Sequence, residues 1–255
     1  MEGFDLVDLA RRLASWRGTI PRILVFGTVG STQDEAMALA LTGAPEGTLV
    51  LASGQTSGRG RVGRSWHSPA GGLYASIVLR PLAQPGAWPA LSVLAGTAVA
   101  QALHAAGVTE VRVKWPNDIV VAGRKIAGLL AEARVDEGFV VLGLGLNVAF
   151  SDELPGAISD VATCLAAHLP VDANPMETCE HVLVSVVNAC ANTSIDLSVD
   201  PVSASRWLDC SRDVLVDGLR GRPVGITELG ELELDVPGGT RVRVSVGEVN
   251  DAGSN

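Results

Sequence analysis

Val111-Arg112-Val113-Lys114-Trp115-Pro116-Asn117-Asp118-Ile119-Val120-Val121-Ala122-Gly123-Arg124-Lys125 decides what kind of sheet this chain builds. Val111–Lys114 alternates apolar and basic side chains, the period-two pattern of a half-buried strand. Pro116 and Asn117-Asp118 demand a turn. Ile119–Val121 is apolar and β-branched, and Ala122-Gly123-Arg124-Lys125 signals a hairpin into a further strand over Ile126–Ala133. Asp136-Glu137-Gly138 turns the chain once more, into a strand over Phe139–Asn147. Turns this short join antiparallel strands, whereas parallel neighbours need a crossover of a dozen residues or so. The expected class is α+β, a mixed, largely antiparallel sheet with helices, and not a doubly wound nucleotide fold.

Upstream, Thr48–Ser53 and Leu73–Arg80 read as strands on either side of Gly54-Gln55-Thr56-Ser57-Gly58-Arg59-Gly60-Arg61-Val62-Gly63-Arg64-Ser65-Trp66. A connection of this length inside a compact domain is usually functional. Its glycines let backbone N–H groups approach a ligand, its arginines offer planar forks to phosphate or carboxylate, and its tryptophan can stack on a flat ring. Composition alone leaves a solvated Gly/Arg linker as the alternative. Earlier still, Phe4–Trp16 has helical periodicity and Ile23–Phe26 is a strand. Thr32 and Glu35 are spaced as a capping box before Ala36–Leu41. Ser31, Thr32 and Gln33 therefore begin a helix, either as plain caps or as donors to a polar ligand head group.

Trp88–Ala106 reads as a long buried helix, and Val161–His168, Met176–Ala191 and Asp200–Leu208 as further helices. From Asp213 onward short strands alternate with glycine turns, so the chain is divided into residues 1–209 and a small β module over 210–255 that packs on them. The 255 residues carry a formal net charge of −9 and are 47% hydrophobic, ample for a core and unsuited to nonspecific DNA binding. No apolar run reaches membrane-span length, and Glu2, Asp5 and Asp8 are unlike a signal peptide, so a soluble cytoplasmic protein is expected. Cys164, Cys179, Cys190 and Cys210 lack the spacing of a zinc site or a disulfide framework. The only two lysines, Lys114 and Lys125, lie close together in the chain.

Gly58-Arg59-Gly60-Arg61-Val62-Gly63-Arg64-Ser65-Trp66, Lys114-Trp115-Pro116-Asn117-Asp118, Arg124-Lys125-Ile126-Ala127-Gly128 and Gly143-Leu144-Gly145-Leu146-Asn147 follow one another in the order and rough spacing of bacterial biotin protein ligases. The chain resembles that family strongly over residues 20–150 and weakly over the β tail. The resemblance implies a catalytic domain like that of class II aminoacyl-tRNA synthetases, followed by an SH3-like module. It implies a ligase that converts biotin and ATP, with Mg2+, to biotinyl-5′-AMP and pyrophosphate. Biotin then passes to a lysine on the biotin carboxyl carrier protein or domain of an acyl-CoA carboxylase. Too little sequence precedes the catalytic strand for the winged helix of the bifunctional members, so the expectation is the monofunctional type, with no DNA and no membrane partner.

By the same resemblance Ser31, Thr32, Gln55, Gly58, Arg59, Lys125 and Gly128 contact biotin, Lys125, Arg61 and Arg59 are the catalytic residues, and Arg59 and Arg61, the latter also at the nucleotide, belong to a ligand-closing loop that offsets anionic charge. Trp66 packs on adenine. Asn117 and Asp118 lie near the nucleotide, where Asp118 either orients Mg2+ through water or closes an Asx-turn. Lys125 meets the biotin carboxyl oxygen and phosphate, and Asn147 makes a polar contact to the adenylate. Gly128, Gly143 and Gly145 would leave room for ligand against the sheet. Mutual repulsion of Arg59, Arg61 and Arg64 would keep the loop mobile without an anion, and the carrier would meet the rim of the active-site sheet. The β module looks compressed around Asp213–Thr227, as though part of a strand pair were missing. Two other readings stand beside this one, a lipoate-protein ligase of the same fold and a non-catalytic biotin-binding regulatory protein.

Overall fold

A computed structural model describes residues 5–16, 19–149, 158, 160–191 and 197–252. Among them, the principal sheet has seven strands in the order β1-β2-β3-β7-β6-β5-β4. These are β1 (Ile23–Val29), β2 (Leu49–Gln55), β3 (Gly72–Leu79), β4 (Val111–Lys114), β5 (Asp118–Val121), β6 (Arg124–Arg134) and β7 (Phe139–Asn147). All neighbours are antiparallel except β1 and β2. The exception has a cause: helix α2 (Thr32–Leu41) supplies the crossover that a parallel pair requires. Between β5 and β6, Ala122 and Gly123 both take positive φ, the two-residue turn whose twist suits a hairpin.

Strand alternation sends side chains to two different layers. Leu49, Leu51, Ile77, Leu142 and Leu144 join the main core with α1 (Leu6–Leu13), α3 (Ala90–Ala105) and α4 (Pro175–Cys190). Val50, Val78, Val141 and Phe139 point the other way and meet Ala36 and Ala40 of α2. One face of the sheet thus carries three helices, and the other carries α2 at one end only. The uncovered part of that second face is where a pocket forms. No described helix is long and apolar enough to cross a membrane.

A second sheet orders β11-β10-β9-β8-β12, from β8 (Val214–Val216), β9 (Leu219–Ile226), β10 (Leu232–Val236), β11 (Thr240–Val244) and β12 (Val249–Asp251). The missing strand pair expected around Asp213–Thr227 is in fact present: β8 pairs with β9 across the two-residue turn Asp217-Gly218. The stretch is short in sequence because the turn has no spare residues. This sheet has no apolar cluster to itself. Val214, Val216, Ile226, Leu232 and Leu234 share theirs with Ala90 and Val93 of α3, Trp115, and Ala204 of α5 (Pro201–Trp207). Trp115 is buried there and its indole N–H donates to the Gly230 carbonyl at 2.9 Å.

Three local expectations are corrected. The helix expected over Val161–His168 is an extended segment followed by a short 3-10 turn, Leu165–Ala167. Its first residues bond β6 through their backbone, with Lys125 N donating to the Val161 carbonyl and Thr163 N donating to the Lys125 carbonyl, each at 2.8 Å. The α2 cap is Ser31, whose hydroxyl accepts from Gln33 N, and Thr32 is the first helical residue. The first helix runs over Leu6–Leu13 and continues as a 3-10 turn to Trp16, while Phe4 lies outside the described residues.

Candidate functional site

The pocket opens on the sheet face that α2 leaves uncovered. Ser31, Thr32, Gln55, Arg59, Arg61, Trp66, Asn117, Asp118, Lys125 and Gly128 all line it, as the sequence leads one to expect. At its buried end the polar groups are tied into one network. The Gln55 side-chain oxygen accepts from Thr32 N at 2.8 Å and lies 3.1 Å from the Thr32 hydroxyl. That hydroxyl is 2.9 Å from the Ser76 hydroxyl, which donates to the Gln33 side-chain oxygen at 3.0 Å. Gln33 in turn donates its amide to the Val141 carbonyl at 2.9 Å. Ser31, Thr32, Gln33 and Ser76 are buried, so these mutual bonds offset a desolvation cost that would otherwise be about 1–3 kcal/mol per orphaned group.

At the mouth, Gly58–Trp66 folds back as a small hairpin. Arg59 and Ser65 form a bridge, Gly60 N donates to the Arg64 carbonyl at 2.7 Å, and Trp66 N donates to the Gly58 carbonyl at 2.8 Å. Each arginine has a partner. Arg59 pairs with Asp34 of α2 and with Glu132 of β6, Arg61 donates to Asn117 at 3.2 Å and to the Gly247 carbonyl at 3.1 Å, and Arg64 pairs with Glu248 at 2.6 Å. Burial opposes the charge on Arg59, but the hydrogen bond to Asp34 and the nearby Glu132 hold its guanidinium above the ordinary arginine range. The repulsion expected to keep this loop mobile is therefore offset by three carboxylates and a carbonyl.

Lys125 projects between Asp118 and Trp66. Its ammonium lies 2.6 Å from the Asp118 carboxylate and 5.0 Å from the centre of the Trp66 ring. Gly128 and Gly145 face each other across β6 and β7. A Cβ on Gly145 would stand 2.5 Å from the Trp66 ring, and one on Gly128 would stand 2.8 Å from it. The space these glycines leave is occupied by the indole, and that left by Gly143 by the Gln33 side chain. All three glycines line the pocket, and they also seat the side chains that form its wall.

Gly58 and Asn147 are not among the pocket-lining residues. A Cβ at Gly58 would meet the Ser68 hydroxyl and Trp66 carbonyl at 2.6 Å, so this glycine allows the loop to close on itself. Asn147 turns its amide to the backbone, donating to the Thr163 carbonyl at 2.9 Å and the Lys125 carbonyl at 3.4 Å. The sequence reading also missed partners. Ser76 was legible as a small hydroxyl residue in a strand that is otherwise apolar but for Tyr74. Gln33 was marked only as a cap or a donor at the helix start, and its bonds to Ser76 and Val141 could not be foreseen. Asp34, Glu132 and Glu248 carry no local signal, because they meet the arginines only through tertiary contact. Lys114 lines the same pocket as Lys125, which accounts for the two lysines occurring so close together.

The Biotin/lipoate A/B protein ligase family model matches residues 26–147. A biotin–[acetyl-CoA-carboxylase] ligase of Mycobacterium tuberculosis is 34% identical over 251 residues, 92% of this chain and 90% of that protein. A bifunctional ligase/repressor of Bacillus spizizenii is 44% identical over 143 residues, 54% of this chain and 44% of the relative. The chain thus spans about half the length of the curated bifunctional relatives it matches. Among solved structures, the biotin protein ligase of Aquifex aeolicus in complex with biotin and ATP superposes with a TM-score of 0.75 at 27% identity, covering 90% of this chain and 97% of that one.

Proposed function

The chain belongs to the biotin/lipoate A/B protein ligase family, and we propose that it joins biotin to a carrier lysine through biotinyl-5′-AMP. One observation supports this most directly. The pocket has two unlike ends, a buried network of paired amides and hydroxyls and a mouth ringed by Arg61, Lys114 and Lys125 around an indole. The first suits an uncharged ring with both donors and acceptors, and the second suits a carboxylate brought against a nucleotide phosphate.

On this reading Ser31, Thr32 and Gln55, with Gln33 and Ser76 behind them, orient the ureido ring. The acid's carboxylate oxygen attacks the α-phosphorus, and pyrophosphate leaves. Lys125 shifts its hydrogen bond from Asp118 to the oxygens on which charge grows, and Arg61 neutralises the second anion. Trp66 covers the adenine, and Asn117 fixes Arg61. Arg59 acts at one remove, fastening the loop to α2 and β6. In the second step a carrier lysine amine attacks the acyl carbon and AMP leaves. Among the described residues no three His, Cys, Asp or Glu are grouped to hold a metal; Mg2+ would arrive on the triphosphate, and Asp118 and Glu248 are the carboxylates lining the pocket that could orient it. The carrier would be the biotin-bearing domain of an acyl-CoA carboxylase, met in the cytoplasm.

The test is isotope exchange between pyrophosphate and ATP with biotin or lipoate as the acid. Biotin-dependent exchange is expected. Exchange with lipoate alone would move the protein to the other branch of the family, and binding of biotin without exchange would make it a regulatory binder.

A further inference from the structure

We propose that Ser76 and Gln33 determine which ring the buried end of the pocket accepts, by leaving that end one hydrogen short. This rests on the ligase reading only in naming biotin as the ligand. Four side-chain oxygens stand in a row, Gln33 Oε1, Ser76 Oγ, Thr32 Oγ1 and Gln55 Oε1, separated by 3.0, 2.9 and 3.1 Å. Each separation is a hydrogen-bond distance, and each needs a hydrogen between its oxygens. The two ends supply none, because an amide oxygen only accepts. The Ser76 and Thr32 hydroxyls carry one hydrogen each, so three contacts share two hydrogens.

Neither amide can turn over to make up the deficit. Gln33 donates its NH2 to the Val141 carbonyl at 2.9 Å and to the Leu130 carbonyl at 3.4 Å, which aims its oxygen at Ser76. Gly143 makes room for that oxygen, since a Cβ there would stand 2.7 Å from it. Gln55 accepts from Thr32 N at 2.8 Å and donates to the Ser68 hydroxyl at 2.9 Å, whose own hydrogen goes to the Trp66 carbonyl at 3.1 Å. The two contacts through Ser76 are buried, whereas Gln55 is half-buried at the pocket. The deficit is therefore met by passing the Thr32 hydrogen to Ser76 and the Ser76 hydrogen to Gln33, and by taking an outside hydrogen between Thr32 and Gln55. Those two oxygens then present lone pairs and no donor, and a ligand N–H set between them satisfies both. Ser31 lines the same pocket, and its hydroxyl, which accepts from Gln33 N at 3.2 Å, can give its hydrogen to a ligand oxygen. The complementary ring carries an N–H beside a carbonyl, as a cyclic urea does and a dithiolane does not.

Calorimetric titration without ATP tests this, using biotin and its two cyclic carbamate analogues, in each of which a ring oxygen replaces one ureido N–H. Wild-type protein should bind one carbamate at least about a hundredfold more weakly than biotin, because an oxygen there faces two acceptors. Ser76→Ala leaves one hydrogen for the single contact between Thr32 and Gln55. Gln33→Leu releases the Ser76 hydrogen and leaves two hydrogens for two contacts. In both variants the deficit closes from within the protein, and the ratio between biotin and that carbamate should fall to about tenfold or less. A merely structural role for either residue would weaken both ligands alike and keep the ratio. Equal binding of biotin and both carbamates by wild-type protein, or a wild-type ratio in either folded variant, would overturn the proposal. If one variant does not fold, the other decides. Absence of biotin-dependent pyrophosphate exchange, with the ratio and its loss in the variants as expected, would sink the ligase reading and leave this one standing.

Discussion

Lys125 is half-buried, 2.6 Å from one carboxylate and beside an indole face, so its ammonium has little freedom to take another position. Lys125→Ala should cost about 2–4 kcal/mol of transition-state stabilisation, about the effect of removing an oxyanion donor, with unfolding little changed. Lys125→Arg should rescue little, because a planar fork cannot occupy the site of a compact ammonium between Asp118 and Trp66. Single-turnover adenylation measured apart from carrier transfer checks both. Wild-type rates in the alanine variant would remove Lys125 from the chemistry. Gly145→Ala is a stricter test of the wall. Its Cβ would lie 2.5 Å from a ring that packs directly on Gly145 and on its cross-strand neighbour Gly128, so the indole must move. Adenylation should fall by at least as much as in Trp66→Ala, and a variant with wild-type KM for ATP would contradict the seating role.

At the scale of elements, the arginine loop is held by ion pairs to α2, β6 and the second sheet. Such partly exposed pairs are worth about 0–1 kcal/mol each, too little to alter global stability but enough to bias one loop. Asp34→Asn with Glu132→Gln should therefore quicken amide exchange over Gln55–Trp66 while leaving the thermal midpoint unchanged. Biotin plus ATP should slow the same amides, and equal exchange with and without ligand would end the closing-loop idea. Helix α4 makes a different prediction. Burial raises the Cys190 thiol from its ordinary 9.0 to about 12, and the Cys179 thiol above that. A folded pKa above the unfolded one means the native state retains protons that the unfolded chain releases. The associated stability is complete below about pH 9 and lost as pH rises toward 12. Urea unfolding at pH 7.5 and pH 10 should show the fall, and Cys190→Ala should lessen it.

Across the whole molecule, the second sheet is not an appendage. Its apolar residues share a cluster with α3, α5 and Trp115, and its Gly247 and Glu248 hold Arg61 and Arg64 of the loop. The two sheets should unfold together. Trp115→Phe keeps the ring but leaves the Gly230 carbonyl without its donor, at a cost of about 1–3 kcal/mol, so the single urea transition should shift to lower concentration as one step. An early, separate transition of residues 210–252 would show that they fold on their own. The division at residue 209 is thus a proposal about ancestry and function more than about cooperativity.

The sequence by itself determined what local chemistry can encode. Alternation in Val111–Lys114, the turn at Ala122-Gly123 and the apolar run Phe139–Asn147 fix strand, turn and strand within a few residues, because side-chain period and positive φ are local properties. The motifs likewise marked Thr32, Gln55, Arg61, Trp66 and Lys125, which the folded chain gathers around one pocket. Only tertiary structure decided what each marked residue touches. Val161–Thr163 looked helical because periodicity cannot say whether a backbone bonds to itself or to a neighbouring strand. That the Asn147 amide donates to the carbonyls of Lys125 and Thr163 is likewise revealed by nothing near it in sequence. The carboxylates that neutralise the arginines come from α2, β6 and the second sheet, since pairing between distant charges depends on distance in space, which the chain acquires only on folding.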